Sequence, residues 1–238
     1  LAWINKHNSF GCKIDNQSNN YSLLAVQGPK SIELLQELTD VNLFDIKYYN
    51  FKIGSIAGID EVILSRTGYT GEIGFEMYVK NESVKQLWDA LFATSIDMKA
   101  IGLAARDTLR LEKGFCLYGN DINDTTSPIE AGLGWITKFT KEFINHKNLK
   151  AQKEGGATKK LVGLELIDKG IARNGYPIVN AEGAEIGIVT SGTMSPTLNK
   201  AIAMAYVPKE LSKVNSEILI QVRKKQIRAK VVAMPFLK

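Results

Sequence analysis

A glutamate occupies the middle of an apolar run in the stretch GYTGEIGFEMYV, residues 68–79. Successive side chains of a strand point to opposite faces, so Phe75, Met77 and Val79 share one face and Glu76 lies on the other. On a face that meets solvent, such a carboxylate is an ordinary surface group, whereas in a cavity it needs hydrogen-bond donors. Aminopyrimidine rings carry paired N–H donors that match a carboxylate. The pattern leaves both interpretations of Glu76 open.

Three glycines and a tyrosine precede that glutamate. Gly68, Gly71 and Gly74 do not form a phosphate-binding loop, because neither a Lys-Ser/Thr pair nor a helical pattern follows them. They predict a turn between two strands, in which glycine permits a positive φ or a close approach of backbone. A ligand could lie against such a backbone, with the ring of Tyr69 available for stacking.

A second group of candidates follows about thirty residues later. Arg106 precedes Asp107 at the start of a helical pattern, IGLAARDTLR. Such an arginine either belongs to a structural ion pair or binds a carboxylate or phosphate through its planar guanidinium. The next stretch, LEKGFCLYGNDIND, places Tyr118, Asn120 and Asp121 in a predicted turn, where they are candidate ligand-lining groups.

The elements that must position these residues alternate between strands and helices over the first 145 residues, which predicts an α+β region. The stretch YSLLAVQGPK predicts a strand, and EVILSRTGYTGEIGFEMYVK predicts two strands joined by the glycine-rich turn. Helical spacing of apolar residues appears in PKSIELLQELTD, in NESVKQLWDALFA with Asn81 as candidate N-cap, and in AARDTLRLEKGF with Gly114 as the stop signal.

The pattern changes near residue 147. The stretch KNLKAQKEGGATKK is polar and basic and contains Gly155-Gly156, which predicts a linker or an exposed loop. Six short strand-like runs follow with turn signals between them, and they predict an all-β barrel or sandwich. The last, in VRKKQIRAKVVAMPF, alternates like an edge strand with Lys and Arg on its outer face.

The composition, and above all the small number of cysteines and histidines, excludes several kinds of catalytic and metal site. The chain has 238 residues, 45% of them hydrophobic, with a formal net charge of +5. Two distant cysteines exclude a disulfide scaffold, and with two histidines in polar surroundings they argue against a metal cluster or a His-based triad.

No apolar run approaches the roughly 18 residues of a membrane helix. Aromatic and basic residues do not interleave as nucleic-acid-binding modules require, so we expect neither nucleic acid nor a membrane as partner.

Six stretches, in order over almost the whole chain, carry a resemblance to one family. They read LLAVQGP, SRTGYTGEIGFEMYV, GLAARDTLRLEKGFCLYGNDI, SPIEAGLGW, VTSGTMSPTLNKAIAMAYV and VVAMPF. Together they closely resemble the T-protein of the glycine cleavage system, the tetrahydrofolate-dependent aminomethyltransferase. The resemblance implies a folate-binding α+β region at residues 1–150, followed by a C-terminal β-barrel-like domain at residues 151–238.

The resemblance also implies an activity. A T-protein transfers the aminomethyl carbon from the lipoyl arm of the H-protein to tetrahydrofolate, which releases ammonia and gives 5,10-methylenetetrahydrofolate. We therefore expect tetrahydrofolate as cosubstrate, the lipoylated H-protein as partner, no metal, and a location in the bacterial cytoplasm.

Site residues follow from the resemblance by motif position. Glu76 resembles the family carboxylate that binds the pterin ring, Arg106 resembles an arginine that lines the folate site, and Tyr69 and Tyr118 resemble aromatic lining residues. The family aspartate near the reacting nitrogens belongs to an N-terminal Gly-Gly-Ile-x-Asp-Asp-like motif, which this sequence does not contain. We therefore expect an N-terminally truncated enzyme with no family catalytic residue, whose 238 residues do not catalyse the transfer alone.

Two alternatives share the implied fold. One is the folate-dependent half of a dimethylglycine or sarcosine dehydrogenase, which also carries a flavin domain. The other is a non-enzymatic folate-binding iron–sulfur assembly factor, whose hallmark is Lys-Gly-Cys-Tyr-x-Gly-Gln. Here the corresponding stretch is KGFCLYGND, with Phe115 after the glycine and Asn120-Asp121 where the glutamine would fall, which argues against an assembly factor.

Overall fold

The computed structural model describes residues 1–238, which divide into two units, residues 1–100 and residues 101–238. The first unit consists of α1 (Ala2–Lys6), β1 (Tyr21–Gln27), α2 (Ser31–Gln36), β2 (Phe51–Ile56), β3 (Ile59–Ser65), β4 (Gly74–Lys80) and α3 (Val84–Phe92). The second consists of α4 (Leu103–Glu112), α5 (His146–Gly155), β5 (Lys159–Leu166), β6 (Pro177–Val179), β7 (Glu185–Ser195), β8 (Lys200–Pro208), β9 (Glu217–Val222) and β10 (Lys225–Val232).

An antiparallel sheet with the order β1-β4-β3-β2 forms the centre of the first unit. On β4, Phe75, Met77 and Val79 are at most 1% exposed and belong to one apolar core with Leu35 of α2 and Leu87 of α3. The alternation predicted for this strand is confirmed, because its intervening residues are only partly buried. The two strands predicted on either side of the glycine-rich turn are also confirmed, as β3 and β4.

The start of α3 differs from the prediction. Asn81 is not the N-cap of the helix; it begins a 3-10 turn, and α3 starts after Ser83. The Asn81 amide donates to the carbonyl of Asn19 at 2.6 Å and its oxygen accepts from the hydroxyl of Ser22 at 2.8 Å. Because the side chain is bonded to the segment that enters β1, it does not cap the helix.

A closed barrel with the order β10-β5-β8-β7-β6-β9 forms most of the second unit. The run KAIAMAYV on β8 is buried on both sides. Ala203 and Ala205 belong to one apolar cluster, whereas Met204 and Tyr206 belong to a second cluster that includes Leu111 of α4. Helix α4 therefore packs against the outside of the barrel wall. The predicted order of an α+β region followed by a β-barrel is confirmed.

The last strand is not an edge strand, which corrects the prediction. Strand β10 pairs with β5 on one side and with β9 on the other. Its alternation is nevertheless as predicted, since Ile227, Ala229 and Val231 are buried while Lys225 and Arg228 are exposed. Barrel closure removes sheet edges, so these charges do not protect an edge from aggregation.

The predicted linker at residues 147–160 is largely a helix, α5, which is a further correction. Its residues include Leu, Lys, Ala, Gln and Glu, all of which have high helix propensity. Leu149 anchors the helix through its buried side chain, and Gly156 ends it with a φ of +85°. The paired glycines therefore mark the end of a helix.

The longest helices, α4 and α5, have 10 residues each, and none of the helices has the length and apolar character that crossing a bilayer requires. Along the chain, the boundary between the two units lies between Ala100 and Ile101. The domain division at 150/151 stays a prediction.

Candidate functional site

Glu76 lies at the centre of the sheet of the first unit, where β4 is flanked by β1 and β3. It pairs with Ala25 on β1 and with Ser65 on β3, and its side chain is half-buried. One carboxylate oxygen accepts a short hydrogen bond from the hydroxyl of Thr67, whose oxygen lies 3.1 Å from the Ser65 hydroxyl. The Thr67 bond holds one carboxylate oxygen in a defined position.

The sheet face around Glu76 is mostly apolar. Directly paired residues of neighbouring strands project to the same side of a sheet. By that register, Glu76 shares its side with Tyr21, Gln27 and Lys80 at the strand ends and with a central group of seven residues, which we call the apolar sheet face: Leu23, Ala25, Phe51, Ile53, Ile63, Ser65 and Tyr78. Leu23, Phe51 and Ile53 are 44%, 60% and 63% exposed, respectively. Exposed apolar patches of this kind mark ligand or partner sites.

Two adjacent tyrosines near Glu76 were not identified from the sequence. The rings of Tyr48 and Tyr49 lie 4.2 Å apart between centroids. The hydrogen bond with Tyr49, followed by burial and by the nearby charges of Tyr49 and Glu76, raises the pKa of Tyr48 above its usual value. The pair adds aromatic surface beside the carboxylate. Its sequence signal, a Tyr-Tyr pair just before β2, is weak.

Two glycines of the turn, Gly68 and Gly74, are needed for a reason that the sequence did not predict, namely the space taken by a neighbouring side chain. A methyl group on Gly68 or Gly74 would lie within 1.9 Å or 2.3 Å of the Gln27 side chain. The Gln27 amide donates to the carbonyls of Thr67 and Phe75 at 3.2 and 3.3 Å. These two glycines therefore make room for Gln27. Gly71, with a φ of +74°, fits the turn interpretation.

Of the sequence-predicted site residues, Glu76 and Tyr69 belong to the first unit, and Arg106 and Tyr118 to the second. Tyr69 lies in the loop between β3 and β4 and is half-buried. Arg106 lies on an exposed side of α4, in its first half. Tyr118 is 67% exposed, and its hydroxyl donates to Asp124, a bond that raises its pKa.

Arg110, which the sequence pattern did not single out, is the partner of Asp107. Its Nε and Nη2 atoms donate to the Asp107 carboxylate at 2.8 and 2.6 Å. Burial lowers the pKa of Arg110, but the charge of Asp121 and the bond and charge of Asp107 outweigh this effect and raise it. Asp121 is fully buried against Arg110 and is not a ligand-lining group, which corrects the expectation for that residue.

No group of three or more His, Cys, Asp or Glu side chains is arranged to hold a metal ion. Neither cysteine forms a disulfide. Burial raises the pKa of Cys116 to about 11; the charge of Asp121 adds to the increase and that of Arg110 opposes it. A thiol with this pKa is a poor nucleophile at neutral pH.

Comparison with known families gives two consecutive matches. Residues 1–141 match the GCVT N-terminal domain, and residues 159–238 match the glycine cleavage T-protein C-terminal barrel domain. The second match coincides with the strands of the closed barrel.

Individual relatives agree with these matches. The chain is 56% identical to the aminomethyltransferase of Flavobacterium psychrophilum, over 99% of this chain and 66% of that protein. It is 55% identical to the aminomethyltransferase of Bacteroides fragilis, again over 99% of this chain and 66% of that one. The crystal structure of glycine cleavage system aminomethyltransferase T from Bartonella henselae matches with a TM-score of 0.84 and 32% identity, over 91% of this chain and 60% of that one. The chain spans 66% of the length of these two curated relatives.

The contact between Gln27 and Gly74 predicts a coupled effect on stability. Gly74→Ala is expected to destabilise the protein by about 1–3 kcal/mol, because the methyl group displaces the Gln27 side chain and breaks its hydrogen bonds to the carbonyls of Thr67 and Phe75. Gln27→Ala removes the obstacle, so the double variant should be more stable than the sum of the single effects predicts. Urea unfolding measures all three. The control is Gly155→Ala, whose methyl group meets nothing within 4 Å; a Gly74→Ala variant as stable as this control would contradict the prediction.

The two thiols are expected to differ in reactivity. At pH 8 a thiol with a pKa of about 11 is only about 0.1% thiolate. In a Cys12→Ser protein, alkylation of Cys116 by iodoacetamide should therefore be about a hundredfold slower than in the urea-unfolded chain. Its rate should rise about tenfold per pH unit up to pH 10, as the thiolate fraction does. Alkylation at pH 8 as fast as that of the exposed Cys12 in a Cys116→Ser protein would show that burial does not protect the thiol.

Proposed function

The chain belongs to the glycine cleavage T-protein family, and we propose that it carries the folate-binding and barrel regions of an aminomethyltransferase. The cosubstrate is tetrahydrofolate, and the carbon donor is the aminomethylated lipoyl arm of the H-protein. Identities of 55–56% to proteins named aminomethyltransferase support this function over the dehydrogenase-like and assembly-factor alternatives.

The proposed reaction breaks the bond from the aminomethyl carbon to the lipoyl sulfur and the bond from the same carbon to its nitrogen. The carbon forms new bonds to N5 and N10 of tetrahydrofolate. The two hydrogens released from these nitrogens go to the sulfur and to the departing amine. The products are 5,10-methylenetetrahydrofolate, the dihydrolipoyl H-protein and ammonia, with no net oxidation. Such a transfer depends on holding the two reactants in the correct orientation.

The placement of Glu76 is the observation that carries the proposal. A half-buried carboxylate on a mostly apolar sheet face, with one oxygen already bonded to Thr67, suits a flat ring with an N–H edge. Glu76 accepts the N–H donors of the pterin, and the apolar residues beside it contact the ring. Charge-assisted bonds of this kind are shorter and stronger than neutral ones.

The other three site residues have supporting roles. Tyr69, in the loop before Glu76, offers an aromatic surface for stacking. Arg106 offers a planar guanidinium that suits a carboxylate group, and Tyr118 offers an exposed ring. All of them bind or orient tetrahydrofolate, and none acts as a nucleophile.

The H-protein partner is expected to be acidic, which complements the net charge of +5 on this chain. Part of the basic excess lies on α5, where Lys147, Lys150 and Lys153 are all exposed. We place the complex in the bacterial cytoplasm, where thiols such as those of Cys12 and Cys116 stay reduced.

The role of Glu76 predicts a loss of folate affinity in Glu76→Gln. The variant keeps an oxygen that accepts from Thr67 but loses the negative charge, which removes about 1.5–3 kcal/mol of charge-assisted hydrogen bonding. The Kd for tetrahydrofolate in the complete protein, measured anaerobically by calorimetry, should rise about tenfold to a hundredfold. Glu61→Gln is the matched control. Glu61 is exposed and forms a surface ion pair with Lys80 at 3.4 Å, and such exposed pairs contribute little to stability. Equal affinities of the two variants would remove Glu76 from the site.

The charge complementarity predicts that H-protein binding weakens with salt. Exposed charge pairs are screened as ionic strength rises, and the Debye length falls from about 10 Å at 0.1 M to about 3 Å at 1 M. The Kd of the complete protein for lipoylated H-protein, measured by surface plasmon resonance between 50 and 500 mM NaCl, should rise several-fold. An affinity that does not change over this range would show that the basic excess does not contribute to docking.

A further inference from the structure

The guanidinium of Arg110 is completely buried on α4 and uses all five of its N–H donors. Besides the two bonds to Asp107, it donates to Asp121 at 2.6 Å, to the carbonyl of Phe115 at 3.0 Å and to the hydroxyl of Ser191 at 2.7 Å. It therefore connects one helix, the turn that follows it and the barrel strand β7.

Asp121, the buried partner, holds that turn in place. Its carboxylate accepts from the backbone N–H of Leu117 at 2.9 Å and from the hydroxyl of Thr190 at 2.5 Å. Its backbone carbonyl accepts from the hydroxyl of Tyr206 at 2.9 Å. The turn at residues 117–121 is thus fixed to β7 and β8, with Tyr118 exposed at its surface.

Each member of this buried pair lies close in sequence to one of the two candidate folate residues of the second unit. Arg106 precedes Arg110 by four residues on the same helix, a rise of about 6 Å. Tyr118 lies in the turn that Asp121 closes. We propose that the Arg110–Asp121 pair positions Arg106 and Tyr118 relative to each other for folate binding, an inference that rests on the proposed function.

Stability alone does not account for this pair. Burying two charges costs desolvation energy that their attraction only partly returns, and apolar replacements are often as stable. The same end of α4 is already attached to the barrel through Leu111 in the apolar cluster and through Glu112, which accepts from Ser195 and Thr197. The distinctive contribution of the guanidinium is its rigid, planar set of donors, which permits one orientation of helix and turn.

The test uses Arg110→Lys in the complete protein. Lysine keeps the charge but has three donors at one point, so it cannot hold Asp107, Asp121, Phe115 and Ser191 together. We expect the Kd for tetrahydrofolate to rise about tenfold and the amide of Leu117 to exchange hydrogen faster. Asp121→Asn, of the same size, tests the same link if Arg110→Lys does not fold.

A combined variant separates positioning from a general loss of stability. In a background of Arg106→Ala with Tyr118→Ala, Arg110→Lys should raise the Kd less than twofold further, because the residues through which it acts are gone. A full tenfold further rise in that background would overturn the positioning role, as would an unchanged Kd for Arg110→Lys alone. If the background itself binds tetrahydrofolate normally, the site assignment of Arg106 and Tyr118 fails, and the positioning role fails with it.

Glu112→Gln provides the matched control. It weakens a second buried attachment of α4, to Ser195 and Thr197, without touching the turn at residues 117–121. It should lower the melting temperature while leaving the Kd within twofold of the unsubstituted protein. A Kd that rises equally in Glu112→Gln and Arg110→Lys would mean that folate affinity follows stability, and this would overturn the proposal.

Discussion

The burial of one face of β4 determines on which side of the sheet Glu76 lies. Phe75, Met77 and Val79 are at most 1% exposed, and each such burial contributes about 1.5–3 kcal/mol. A shift of the strand by one residue would put Glu76 and Tyr78 into the core instead, so the register is strongly specified. Apolar packing on one face thereby holds a carboxylate on the other, where the Thr67 hydroxyl orients it.

In the second unit, buried charged groups fix the position of surface residues, as apolar packing does in the first unit. Helix α4 packs on the barrel through Leu111, but the orientation of its turn is set by polar contacts of Arg110 with Asp121 and Ser191. Because all five guanidinium donors are used, the arrangement tolerates little displacement. Arg106 and Tyr118, which are both exposed, therefore lie on a helix and a turn that these contacts hold in place.

Sequence patterns predicted what local periodicity determines. The placement of Glu76 opposite the core follows from alternation within one strand, and the barrel strands follow from short apolar runs between turns. Contacts between distant segments were not predictable. Gly74 is explained by Gln27 on another strand, and Arg110 by partners that include Ser191, 81 residues away. Barrel closure, which makes β10 an interior strand, is likewise a property of the whole unit. The segment of helix α5 was predicted as a linker because paired glycines are typical of loops, although its other residues favour a helix.

In the proposed function, Glu76 binds the pterin of tetrahydrofolate on the apolar sheet face. A crystal structure of the complete protein soaked anaerobically with tetrahydrofolate tests it most directly. We expect pterin density against this face, with ring N–H groups about 3 Å from the Glu76 carboxylate and the Thr67 bond retained. Ordered pterin density at another place, with Glu76 surrounded only by water, would contradict it.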